Sequence, residues 1–108
     1  MTDSIDHPVA TVFLDDTTRV VVQDMLRLSG FSLEQLVELV ECGAFEPEGV
    51  TVETWTFTAR SALIARRAAG LRIEFDLDTQ GTSLVLGLLE RIDQMEKRMR
   101  ELEAQLFR

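Results

Sequence analysis

Residues 31–43 have the sequence FSLEQLVELVECG, which carries the strongest helix signal in the chain. Ser32 is a favoured N-cap residue, and Gln35 follows it at the spacing of a capping box. Apolar side chains then recur at helical spacing, at Leu33, Leu36, Val37 and Val40. Gly43 fits the C-cap. The stretch therefore predicts an amphipathic helix that begins after Ser32 and ends before Gly43.

A shorter helix is predicted just before this one. The β-branched run Arg19–Val22 predicts a short strand, which leads into a helical segment over Gln23–Ser29. Gly30 is placed to end that helix. Two helices joined by a tight connection have the outline of a helix-turn-helix.

The segment after the helix-turn-helix predicts a small β element. Residues 43–49 form a turn region with glycine at both ends, and Pro47 bars a continued helix. Residues 50–57 then alternate in polarity, with apolar side chains at Val50, Val52, Trp55 and Phe57. This pattern predicts a wing after the helix-turn-helix.

Two more helices are predicted in the second half of the chain. Thr58 can cap a third helix over residues 59–76, and a break over Asp76–Gly81 separates it from a last helix over Thr82–Phe107. The third helix has an apolar face that includes Leu63, Ile64, Ala68, Leu71 and Phe75. The predicted fold is mainly α: a winged helix-turn-helix with a small β element and a long, coiled-coil-like C-terminal helix. It divides into an acidic, partly flexible segment (1–18), the helix-turn-helix domain (19–78) and the C-terminal helix (79–108).

The last helix also carries a heptad pattern that predicts dimerisation. Its apolar residues are spaced alternately four and three apart, at Leu88, Ile92, Met95, Met99, Leu102 and Leu106. With Ile92 at position a, Arg91 and Arg98 take g positions, and Glu96 and Glu103 take e positions. A parallel pair would bring these opposite charges together. The alternatives are an antiparallel pair and a single helix packed on its own domain.

The charge of the chain is strongly acidic and uneven. The net charge is −8, and all of the excess lies in the first 49 residues, because the remainder has as many acids as bases. Such a chain repels phosphate backbones and favours basic partners. The N-terminus lacks the apolar run of a signal peptide, and no stretch is apolar enough to span a membrane. The sequence predicts a cytoplasmic protein with no membrane partner.

No pattern in the sequence supports catalysis, a metal site or a cofactor. His7 and Cys42 are the single residues of their kinds, and Cys42 is predicted to be a small packed residue. Asp76-Leu77-Asp78-Thr79 has the form DxDxT, but the later motifs of a phosphatase and the twelfth ligand of an EF-hand are missing. A turn in which Asp78 or Thr79 caps the next helix explains it. We expect a protein that is not an enzyme.

The second helix conflicts with DNA recognition, the usual role of a helix-turn-helix. A reading helix offers Arg, Lys, Asn or Gln to base edges, but Leu33–Glu41 contains three acids and no base. Basic residues are present in the third helix, at Arg60, Arg66, Arg67 and Arg72. A single basic stripe does not compensate for an acidic reading helix. Nucleic acid is therefore an unfavourable partner.

The residues resemble those of a known family. The turn Gly43–Pro47 after an amphipathic helix resembles the GLL-x-P turn of MerR-type regulators. Within that superfamily the chain is more similar to the chaperone modulators of the CbpM family. The matching segments are Phe31-Ser32 through Glu41, Gly43, Glu46, Pro47, Thr54-Trp55-Thr56-Phe57, Arg67-Ala68, Leu71-Arg72, Glu74 and Leu77-Asp78. After Leu77-Asp78, Thr79-Gln80 stand where an aromatic residue and a proline are expected.

The resemblance implies a non-enzymatic regulator with a protein partner. CbpM-like proteins bind the J-domain of a DnaJ-type co-chaperone, CbpA, and block its stimulation of the Hsp70 partner DnaK. A J-domain presents a basic helix to Hsp70, so an acidic surface is a suitable counterpart. The expected binding residues are Glu34, Glu38, Glu41, Glu46 and Trp55, although Trp55 also fits the core. A MerR-like DNA-binding regulator and an adaptor for another protein are the competing interpretations.

Overall fold

The computed structural model describes residues 17–107. The predicted acidic segment lies outside the described residues except for Thr17 and Thr18, and so does His7. The elements follow the chain in the order β1 (Arg19–Val21), α1 (Val22–Ser29), α2 (Leu33–Glu41), a 3-10 turn (Val52–Thr54), β2 (Thr56–Thr58), α3 (Ala59–Phe75) and α4 (Thr79–Leu106).

The helix-turn-helix forms where the sequence predicts it. At the start of α2, Ser32 Oγ accepts a hydrogen bond from the Gln35 backbone N–H at 3.1 Å, and Gln35 Oε1 accepts one from the Ser32 N–H at 3.0 Å. These two bonds complete the predicted capping box. Gly30 ends α1 in the left-handed region, with φ of 89°, where a side chain would be strained.

The β element is smaller than predicted. Residues 50–57, whose polarity alternates, do not form one continuous strand, and only Thr56–Thr58 is a strand. Val50 is 96% exposed, and Val52 begins a 3-10 turn. The strand β2 pairs antiparallel with β1, with Phe57 opposite Val20. On the same strand, Thr56 also forms an isolated antiparallel bridge with Glu48. Gly49 lies at the bend with φ of 117°, and a Cβ there would lie 2.5 Å from the Thr54 carbonyl oxygen, so the bend requires glycine.

The break between α3 and α4 is also shorter than predicted. Asp76 ends α3 in the left-handed conformation with φ of 53°, and α4 begins at Thr79. Asp78 Oδ1 accepts a hydrogen bond from the Gly81 N–H at 2.8 Å, which confirms Asp78 as a cap. The prediction that Thr79, Gln80 and Gly81 lie in the break is wrong, because the cap at Asp78 places them in the first turn of the helix.

One hydrophobic core joins α1, α2, the wing, α3 and the N-terminal half of α4. Its buried apolar residues are Met25, Phe31, Leu36, Leu39, Phe45, Phe57, Ala62, Ile64, Ala65, Ala68, Ala69, Leu86 and Leu89. Two predicted burials are wrong. Phe75 is exposed at the C-terminal end of α3, and Cys42 is exposed just beyond α2. Each of them follows the last residues of its helix that face the core.

An ion pair marks the point where α4 leaves the domain. Arg60 Nη1 on α3 lies 3.0 Å from Asp93 Oδ1, and both side chains are mostly buried, at 17% and 16% exposure. Beyond Asp93 the side chains of α4 are exposed up to Phe107. The last half of α4 therefore extends from the domain.

We expect Asp93→Ala to lower the free energy of unfolding by about 2 kcal/mol, because it leaves the Arg60 guanidinium without its carboxylate in a mostly buried site. Urea denaturation measures the change. The matched control is Glu101→Ala, which removes the exposed pair with Arg98 at 3.7 Å and should cost less than about 0.5 kcal/mol. Equal losses for the two variants would show that the Arg60–Asp93 pair contributes no more than a surface contact.

Candidate partner-binding surface

The outer face of α2 carries an acidic surface that we call the acidic face, defined by Glu34, Glu38 and Glu41. All three side chains are exposed, and their spacing of four and three residues places them on one side of the helix. The opposite side is held on the core by Leu36 and Leu39, which are fully buried. The acidic face is therefore presented by a rigidly packed helix.

Two apolar side chains lie beside these acids. The surface of α2 has an open depression, which is lined by Leu33, Glu34, Val37 and Glu38. Leu33 recurs at helical spacing with the buried Leu36, but 46% of its own side chain is exposed. At 100° per residue, Leu33 is about 90° away from the direction midway between Leu36 and Leu39. A helical wheel centred on those two leucines would have shown this.

The acidic face is connected to the first turn of α4. Thr79 Oγ1 donates a hydrogen bond to Glu38 Oε1 at 3.0 Å. Nearby, the Cys42 thiol lies 3.6 Å from Ser83 Oγ of α4. Thr79 is one of the two positions where this chain departs from the expected aromatic–proline pair. The departure therefore lies next to the acidic face.

Glu46 and Trp55 lie in the loop and wing that follow α2. Glu46 is exposed, and Trp55 is half-buried. The Trp55 ring packs edge-on against Phe57, with 6.2 Å between centroids, and Phe57 packs in the same way on Phe45 at 6.0 Å. Trp55 thus contacts the edge of the core, and its role as an interface anchor stays a prediction.

The basic residues of α3 do not form one exposed stripe. Arg60 is paired with Asp93 and mostly buried, and Arg72 is half-buried. Arg66 and Arg67 are exposed. The α3 surface therefore offers two exposed arginines, while the helix at the reading position of the motif offers glutamates.

The six predicted heptad residues of α4 form one exposed apolar stripe. Leu88, Ile92, Met95, Met99, Leu102 and Leu106 are 44% to 79% exposed. The buried face of α4 is formed by other residues, namely Thr82, Leu86 and Leu89. The stripe consequently faces away from the domain over its whole length.

Neither a metal site nor a membrane span is found in the described part of the chain. Residues 17–107 contain no group of three His, Cys, Asp or Glu side chains that could hold a metal ion. Every helix within this range is too short or too polar to cross a bilayer.

Comparison with known proteins identifies the family. The family model for MerR HTH family regulatory proteins matches residues 20–104. The chaperone modulatory protein CbpM of Pseudomonas putida is 37% identical over 95 residues, which cover 85% of this chain and 94% of the relative. That of Pseudomonas entomophila is 35% identical over the same shares of both chains. That of Escherichia coli is 35% identical over 80 residues, which cover 74% of this chain and 79% of the relative. The chain therefore belongs to the MerR helix-turn-helix family and, within it, to the CbpM chaperone modulatory proteins.

Proposed function

We propose that this protein is a non-enzymatic chaperone modulator that binds the J-domain of a CbpA-type co-chaperone and inhibits its stimulation of the Hsp70 partner DnaK. Its relatives carry the name chaperone modulatory protein. The observation that supports this partner most directly is the exposed acidic face of Glu34, Glu38 and Glu41. A J-domain presents a basic helix to Hsp70, and the acidic face can bind that helix by charge complementarity.

The charge around the acidic face extends beyond α2. Residues 28–59 contain six glutamates and no lysine or arginine. Within this range, Glu46, Glu48 and Glu53 are exposed in the loop and wing. Acidic side chains over a whole segment steer a basic partner at long range and make association depend on salt.

We also propose that two copies associate through the exposed stripe of α4. Fifteen residues of helix beyond Arg91 would have few contacts outside their own helix in a single chain, and isolated helices of that length are marginal in water. A second copy would cover the stripe. We place the resulting dimer in the cytoplasm, where an Hsp70 partner acts.

Calorimetric titration of the full chain with the J-domain of its host's CbpA-type protein, at two salt concentrations, tests the proposed partner. We expect saturable binding that weakens with salt. Glu38→Lys combined with Glu41→Lys should weaken binding about tenfold at low salt, because two attractions become repulsions. The control is Glu74→Lys with Glu101→Lys, which changes the net charge equally at exposed sites on α3 and α4.

Two results would count against this function. Unchanged affinity in the α2 variant would remove the acidic face from the interface, and no binding at either salt would remove the J-domain as partner.

The exposed Arg66 and Arg67 favour a second candidate, DNA binding of the MerR type. A pull-down of genomic DNA with the same protein, followed by sequencing, tests that candidate.

A further inference from the structure

The depression on α2 places two apolar side chains, Leu33 and Val37, beside the acidic face. Leu33 is the first residue of α2 and Val37 lies one turn later, with Glu34 and Glu38 beside them at the same spacing. Leu36 and Leu39 already hold α2 on the core, and Leu33 is not part of the buried cluster. The folded domain leaves Leu33 and the depression open.

Exposed ion pairs alone give little affinity, since each one gains modest energy in water and is screened by salt. Binding energy in protein interfaces concentrates in a few apolar or aromatic contacts from which water is excluded, surrounded by polar groups. The arrangement on α2 has this form. Two apolar side chains lie beside carboxylates that can pair with a basic partner.

The surface is held in place before any partner arrives. The capping box fixes the backbone at Ser32 and Gln35, next to Leu33. The hydrogen bond from Thr79 restrains the Glu38 carboxylate. A surface that is already ordered loses less conformational entropy on binding.

We propose that Leu33 and Val37 are the apolar centre of the interface and that they receive one turn of a basic amphipathic helix. The partner places an apolar side chain between Leu33 and Val37, and lysine or arginine side chains of the same turn pair with Glu34 and Glu38. Leu33 and Val37 are four residues apart, a rise of about 6 Å along α2, and residues one turn apart on a partner helix have the same spacing. This inference rests on the proposed function, in which the basic helix belongs to the J-domain.

Surface plasmon resonance with the full chain immobilised and the J-domain in solution separates the two kinds of contact. Leu33→Ala should raise the dissociation rate about tenfold, with little change in the association rate or in its salt dependence. Val37→Ala should act in the same direction. Glu34→Gln with Glu38→Gln should instead lower the association rate, mainly at low salt.

The matched control is Leu28→Ala, an exposed leucine of α1 that is 40% exposed and should leave both rates unchanged. Circular dichroism melting shows that each variant is folded. If the natural chain binds the J-domain, and the Leu33 and Val37 variants dissociate from it as slowly as the natural chain does, this inference is overturned and the proposed function stands. If the natural chain does not bind, both fail.

Discussion

Replacement of Ile92 and Met99 by aspartate is expected to leave this protein monomeric. Both side chains lie on the apolar stripe of α4, and both are about half exposed in the single chain, at 45% and 59%. In a dimer they would occupy successive a positions of the heptad. The double variant would bury four carboxylates in the dimer seam, and it would lose the apolar contacts of four side chains.

The expected size of this effect is large. Burying a side chain such as isoleucine or methionine contributes about 1.5–3 kcal/mol, and the new charges oppose association further. We expect the dimer dissociation constant to rise by at least about 1,000-fold. Multi-angle light scattering after gel filtration should report a mass near 12.2 kDa for the variant and twice that value for the natural chain.

The control variant changes the same helix outside the stripe. Gln94→Asp with Ala104→Asp adds the same charge at exposed positions and should remain dimeric. A dimeric Ile92/Met99 variant, or a natural chain that is monomeric at micromolar concentration, would contradict association through the stripe. The monomer should also lose some helical circular dichroism, because the end of α4 frays without a partner.

Leu36→Ala is expected to lower the free energy of unfolding by about 3 kcal/mol. Leu36 is 0% exposed and lies on the inner face of α2, in the core that joins α2 to α1, α3 and α4. The substitution removes apolar contacts and leaves a cavity that a well-packed core fills only in part. Urea denaturation at a fixed protein concentration should show a lower midpoint with an unchanged slope.

Leu33→Ala is the matched control for this measurement. It makes the same chemical change three residues earlier in the same helix, but at a side chain that is 46% exposed. We expect its cost to be about 1 kcal/mol or less. Similar losses for the two variants would mean that α2 does not pack on the core through the face that carries Leu36.

Local signals in the sequence were enough to predict most of the helices. The capping box at Ser32 and Gln35 marks the start of α2, and Gly30 marks the end of α1, because each signal acts through hydrogen bonds or backbone angles within a few residues. The wing was predicted less well. Alternation over residues 50–57 is a weak signal, and the tight approach of Gly49 to Thr54 involves backbone atoms that a polarity pattern does not describe.

The acidic composition of α2 is likewise visible in the sequence, and so is the absence of bases from it. The exposure of Leu33 is less apparent, because a helical wheel separates Leu33 from the buried face only once Leu36 and Leu39 are known to be its centre. The contact between Glu38 and Thr79 joins residues 41 positions apart in the chain. Sequence spacing within one element carries no information about such a contact.

By itself, the sequence determined the family, the order and type of the helices, the acidic charge of the second helix and the heptad pattern of the last. These properties depend on residue types at short, regular spacing. Only the tertiary structure decided which side chains are left for a partner. Exposure depends on how α2, α3 and α4 pack against one another, so Leu33 became surface, Asp93 was paired with Arg60, and the stripe of α4 was turned away from the core.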